Sequence, residues 1–213
     1  MGNDRNLMPP NVYLRFWPAL ALGLALAACA GPPPPTDSFY RLQASPTVQH
    51  FAKPALPGVV EVERLSSDAV LGDRALTFAA KEGGPLEHYH YDFWSEPPGI
   101  LMQDQLARAL RQAGAADRVV TPDLRVLADW TVRGKIRRFE QVANAGKVVV
   151  EMDLGVVATR DGSLVLLEPY AATSPVSGSG VEAVVTAMDK SVADIIARFV
   201  ADLGRARATG ANR

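Results

Sequence analysis

Residues 130–156 read WTVRGKIRRFEQVANAGKVVVEMDLGV. In the first part Trp130, Val132, Gly134 and Ile136 alternate with Thr131, Arg133, Lys135 and Arg137. In the last part Val148, Val150, Met152, Leu154 and Val156 alternate with Val149, Glu151, Asp153 and Gly155. Period two, with one apolar face and one charged face, is the pattern of strands buried on a single side. A hairpin turning near Asn144-Ala145-Gly146 places Arg137 opposite Glu151, Lys135 opposite Asp153 and Ile136 opposite Met152. Opposed charges across strands contribute roughly 0.2–1 kcal/mol each. A slip of one residue would turn the apolar rows to water, so the register is well specified. Asp161-Gly162 then makes a tight turn into a third antiparallel strand through Leu164 to Leu167.

On the C-terminal side lies a long helical pattern. Val181, Val184, Val185, Met188, Val192, Ile195, Ile196, Phe199 and Leu203 form one broad apolar stripe. Ser179 and Glu182 have the spacing of a capping box, and Gly204 is the expected stop. On the N-terminal side, Phe39-Tyr40-Arg41-Leu42 and the valine-rich Val59 to Leu65 read as strands, with Val60 and Val62 inward. Ala75 to Ala80 and His88 to Trp94 are two more, joined across Gly83-Gly84-Pro85. Pro97-Pro98 opens a helix whose apolar face is Met102, Leu106, Ala109, Leu110 and Ala113, and Gly114 ends it. Arg118 to Val120 is a brief strand cut off by Pro122. These elements predict an α+β fold: a two-layer sandwich, mainly antiparallel β-sheet, with two helices packed on one face.

The N-terminus has a different character. Arg5 and Arg15 precede an apolar run from Phe16 to Ala28, too short to span about 30 Å of hydrocarbon but suited to the core of a secretory signal. It ends in Leu26-Ala27-Ala28-Cys29, which resembles the bacterial lipobox. That resemblance implies cleavage before Cys29 and acylation of its thiol. Two acyl chains suffice for stable anchoring, since each buried methylene contributes about 0.8 kcal/mol. Cys29 is the single cysteine, so no internal disulfide can form. Ala30 in place of aspartate favours the outer membrane over the inner by resemblance to enterobacterial sorting. Pro32 to Pro35 form a stiff, extended tether. The expected organisation is a signal peptide at 1–28, a lipidated cysteine and tether at 29–38, one domain at 39–204 and a flexible tail at 205–213.

No catalytic constellation is assembled. The 213 residues hold three histidines, His50, His88 and His90, and there is no nucleophile elbow, phosphate loop or dinucleotide fingerprint. His88 and His90 share one strand face but lack the further ligands a zinc site needs, and they read as solvent-facing. No cofactor is expected beyond the covalent lipid. With 22 basic and 23 acidic residues there is no excess charge for a nucleic acid. Arg133, Lys135, Arg137 and Arg138 form a basic stripe that Glu151 and Asp153 are expected to neutralise in part. Tyr91, Phe93 and Trp94 are aromatic candidates for a partner contact, because aromatic side chains are enriched in interfaces.

Several of these pieces stand in a telling order: Cys29, Phe39-Tyr40-Arg41-Leu42, the Pro57 to Leu65 strand, Tyr91-x-x-Trp94-x-x-Pro97 leading into a helix, a strand ending in Arg138-Phe139, the hairpin and the terminal helix. In that order the chain resembles the ABC-type transport auxiliary lipoproteins that accompany MCE-domain lipid transporters. The resemblance implies a non-enzymatic subunit, lipid-anchored in the bacterial envelope and facing the periplasm. It also implies partners: an MCE-domain protein, a permease and an ATPase, with self-association open. The residues also fit another class, a lipid-anchored scaffold or assembly factor for an outer-membrane export machine.

Overall fold

A computed structural model describes residues 35–210, so Cys29 and the signal and tether expected around it lie outside the described residues. In chain order the elements are β1 (Ser38–Tyr40), β2 (Leu56–Val62), β3 (Ser66–Ser67), β4 (Ala75–Ala79), β5 (Leu86–Trp94), α1 (Pro98–Ala113), β6 (Ala116–Val120), β7 (Trp130–Val142), β8 (Lys147–Ala158), β9 (Leu164–Pro175) and α2 (Val181–Gly210).

The 13-residue β7 organises the sheet. One edge carries the expected antiparallel meander, β7–β8–β9. Its other edge is shared, in succession and in parallel, by β2 beside Trp130–Val132, β3 beside Lys135–Ile136 and β4 beside Gln141–Val142. β6 extends the branch at one end, and β5 and then β1 extend it at the other. Five of the eight pairings are parallel. The sheet is therefore a large, curled, mixed one and not mainly antiparallel. The meander is local in sequence and shows in the alternation, whereas the parallel pairings join residues 54 to 70 positions apart.

The hairpin register is right over half its length. Lys135 lies opposite Asp153 and Ile136 opposite Met152, but a β-bulge follows, and it is Arg138, not Arg137, that faces Glu151. The extra residue shifts the inward phase from even to odd numbers, so Val132 and Ile136 are buried on the core side and the next inward residue is Phe139. Unbroken alternation would have driven Arg138 into the core. The bulge keeps its guanidinium at the sheet surface, where it donates to Glu140 at 2.6 Å and to Glu82 at 2.6 Å. β9 runs eight residues past its expected end. It pairs only with β8, and an edge strand tolerates Pro169 because the missing N–H can fall on the unpaired side.

The helices close the core. Pro98 occupies the first turn of α1, and Gly114, in the left-handed region at φ 61°, caps its end on the carbonyls of Leu110 and Arg111. Gln103 and Gln105, both buried, donate to the carbonyls of Val62 and Leu42 at 2.8 Å, tying the helix to β2 and to the segment after β1. Gly99 lets α1 approach Leu65: a Cβ there would lie 2.2 Å from the Leu65 carbonyl oxygen. The expected stripe of α2 is buried from Val184 to Leu203, and both helices share one apolar cluster with the inner face of the sheet. Gly204 does not stop α2, which continues to Gly210, so 205–210 are helical and not a loose tail. The glycine instead makes room: a Cβ would sit 2.7 Å from Gln49 and 3.0 Å from Phe51, and one turn later Arg207 donates to the Lys53 carbonyl at 2.6 Å. Glu182 turns toward Tyr40, whose hydroxyl approaches it at 3.5 Å, in place of closing a capping box. No described helix is long and apolar enough to cross a membrane.

Candidate interaction surfaces

The three aromatic residues singled out in the sequence divide between two faces. Trp94 is 1% exposed and packs on Phe139 with ring centres 5.4 Å apart. It fills the core and cannot serve as a contact. Tyr91 and Phe93 point outward. The parallel register of β1 and β5 sets Phe39 beside Phe93, and their rings stack at 5.7 Å. Arg74 lies over the Phe39 ring at 5.5 Å. Phe39 and Tyr91 are each exposed and Phe93 is half-buried, so an aromatic patch survives at this edge, with Phe39 in the place assigned to Trp94. Tyr89 turns inward against Phe78 and bonds Gln141, and burial, with the nearby Asp92 carboxylate, pushes its hydroxyl above the usual range. His50, His88 and His90 are exposed, and no group of three metal-ligating side chains occurs among the described residues.

The basic stripe is paired more fully than the hairpin alone would allow. Arg133 meets Glu63 at 2.9 Å, Lys135 meets Asp68 at 2.7 Å and Arg137 meets Asp153 at 2.6 Å. Hydrogen bonding and attraction from Lys135 hold the Asp68 carboxyl below the ordinary carboxylate range. Arg138 and Lys147 do the same for Glu82. Three of these carboxylates, Glu63, Asp68 and Glu82, come from the segments along the other edge of β7. A structural role thus accounts for the stripe, and little free charge is left to attract an anionic surface.

A second surface went unread in the sequence. After β6 the chain makes a short 3-10 turn, Pro122–Leu124, closed by Arg125 in the left-handed region at φ 50°. It then crosses the end of the sheet to Asp129. The loop's base is clamped: Asp129 N–H donates to the Val59 carbonyl at 2.8 Å, its carboxylate accepts from Val59 N–H at 2.8 Å, and Trp130 Nε1 donates to the Pro57 carbonyl at 2.8 Å. Gly58, at φ 95°, makes the clamp possible, because a Cβ would fall 2.2 Å from Asp129 Oδ2. On this base the loop presents Leu124, Val126 and Leu127, and Leu127 is 95% exposed. The β8–β9 turn lies alongside, through Thr159 N–H on the Asp129 carbonyl at 2.9 Å, and leads into Leu164 and Leu167, both more than half exposed. A cleft of about 430 Å³ opens between Leu127, Trp130, Ala158 and Arg160. The sequence signal was present: four residues, Leu124 to Leu127, three of them apolar, inside a loop that has no core to enter.

The order of elements, the branched sheet and the terminal helix can now be set beside known proteins. The model of the ABC-type transport auxiliary lipoprotein component matches residues 40–200. The chain belongs to this family. The auxiliary lipoproteins are lipid-anchored envelope proteins associated with ABC-type transport, which agrees with the expectation drawn from residues 29–204. Among solved structures, protein XCC0632 of Xanthomonas campestris superposes with a TM-score of 0.72 at 18% identity, over 83% of this auxiliary lipoprotein and 99% of that chain. A second crystal structure, of an uncharacterized protein, gives 0.64 at 15% identity over 79% and 99%. At these identities the likeness establishes a shared fold. PelC of Paraburkholderia phytofirmans, a dodecamer, reaches 0.42 at 18% identity over 70% and 91%, too loose to bear on assembly here. A search of the curated proteins finds no match.

Proposed function

We propose that this auxiliary lipoprotein is a non-enzymatic docking subunit of an ABC-type system that moves lipid or another hydrophobic compound through the periplasm. In this reading acyl chains on Cys29 hold it on the periplasmic face of the outer membrane. The aliphatic end, Leu124 to Leu127 with Leu164 and Leu167, meets an MCE-domain or permease partner, and the Phe39–Tyr91–Phe93 patch is a secondary contact.

The observation that carries the reading is Leu127, almost wholly in water on a loop whose base is pinned by three hydrogen bonds. Covering a leucine contributes about 1.5–3 kcal/mol, and a pre-positioned loop loses little entropy on binding. The chain enters the fold on β1, which runs in the same direction as β5, away from the Gly83-Gly84 turn where β5 begins. The aliphatic end lies at the start of β7, opposite that strand's Gly146 turn.

The test is a photo-activated cross-linker placed at residue 127 in the native host, followed by identification of the adduct. An MCE-domain or permease subunit is the expected product, and Leu127→Asp should abolish a detergent pull-down of the same partner. Recovery of an outer-membrane export barrel, with no transporter subunit, would refute the proposal.

A further inference from the structure

On a different part of the surface, the segment following β1 and the middle of α1 enclose a cleft of about 640 Å³. Leu42, Ala44 and Ala109, all buried, contribute to its lining. Arg41 stands on one wall and Arg108 on the other. The walls are fixed from behind. Gln105 holds the Leu42 carbonyl at 2.8 Å, and Asp189 of α2 accepts the Gln43 N–H at 2.7 Å. Burial pushes the Asp189 carboxyl up, against the lowering effect of the Gln43 bond.

Most charged side chains of β7 have a partner, as described above. Arg41 and Arg108 have none among the described residues: neither makes an ion pair or a side-chain hydrogen bond. Asp104, one turn before Arg108 on α1, is exposed and forms no bridge to it. Ser45 and Gln112 complete the rim with uncommitted donors. Two unpaired forked guanidinium groups lining one cleft suit a tetrahedral oxyanion, whose oxygens accept bidentate bonds.

We infer that the Arg41–Arg108 cleft binds a phosphate group, carried either on a glycerol-linked lipid headgroup or as the free anion. The inference does not rest on the docking reading, which concerns the surface around Leu127. Removing one guanidinium, and with it its charge-assisted hydrogen bonds, should weaken binding by roughly tenfold or more.

The full-length protein, purified in a non-ionic detergent, would be titrated by calorimetry with short-chain phosphatidylglycerol, inorganic phosphate and short-chain diacylglycerol. Saturable binding of phosphatidylglycerol, a tenfold or greater loss in Arg41→Gln and in Arg108→Gln, and partial rescue by Arg108→Lys are expected. Both arginines are exposed, so the variants should keep the parent's melting temperature. Phosphatidylglycerol bound more tightly than phosphate assigns the headgroup as source; equal affinity assigns the free anion. Binding of diacylglycerol as tight as phosphatidylglycerol, no binding of either phosphate compound, or binding unchanged in the double Gln variant would overturn the proposal.

Discussion

The β-bulge at Arg137 makes a sharp claim about Phe139, and replacing it by alanine tests that claim. Alternation carried on from Ile136 would bury Arg138 and leave Phe139 on the charged face. The structure does the reverse: Phe139 is almost fully buried against Trp94, with ring centres 5.4 Å apart. Truncating a buried phenylalanine removes its transfer free energy and leaves a cavity, together about 3–5 kcal/mol. Trp94 would lose its aromatic neighbour, and the helices above the sheet cannot close the gap without disturbing Met102 and Leu106, which are fully buried in the same cluster. For a domain of this size each kcal/mol lowers Tm by about 2–4 °C, so a fall on the order of 10 °C is expected. Arg137→Ala is the control. Its bridge to Asp153 is largely exposed, at 2.6 Å, and such pairs are worth roughly 0–1 kcal/mol. Urea unfolding of the two variants, followed by circular dichroism, gives both values. A loss below about 1 kcal/mol for Phe139→Ala, close to that of Arg137→Ala, would show that Phe139 lies at the surface and that the bulge is misplaced.

Two further predictions concern packing and charge. Gly99→Ala should destabilise by about 1–3 kcal/mol despite the higher helix propensity of alanine, because its Cβ would meet the Leu65 backbone oxygen at 2.2 Å; Gly72→Ala, whose Cβ would lie 3.9 Å from Ser67 Oγ, should be close to neutral in a melting experiment. Asp189→Asn should be at least as stable as the parent at pH 7. Burial raises the Asp189 carboxyl in the folded state, so its unfavourable contribution grows as pH rises from the ordinary carboxylate range through the raised value, while asparagine keeps an oxygen for Gln43 N–H. The advantage should shrink as pH is lowered into the ordinary carboxylate range; urea midpoints at pH 7 and in that range measure it, and a variant clearly weaker than the parent at pH 7 would contradict the account.

Much of this fold is written locally. The 3.6-residue stripe from Val184 to Leu203, Pro98 and Gly114 at the ends of α1, and the period-two rows of β7 and β8 each express one element's own geometry, so they can be read without knowing its neighbours. Even the bulge left a trace, since Arg138 and Phe139 fall on the wrong phase of an otherwise regular alternation. Gly204 shows the limit of such reading: a glycine near the end of a helical pattern signals a stop, yet here it admits Gln49 and Phe51, residues about 150 positions away.

The tertiary structure alone decided which strands share the second edge of β7, and with it the mixed, curled sheet. Parallel pairing between Val60 and Trp130, or Phe78 and Gln141, leaves no mark in either segment, because the backbone groups that pair are the same in every residue. It also decided which aromatic side chains of β5 face water. Trp94 and Tyr91 stand three residues apart in one strand, and their fates were set by what packs against them, Phe139 in one case and solvent in the other. The aliphatic end, where Leu127 comes beside Leu164 and Leu167, and the Arg41–Arg108 cleft belong to the same class: each joins segments distant in sequence, and only folding brings their parts together.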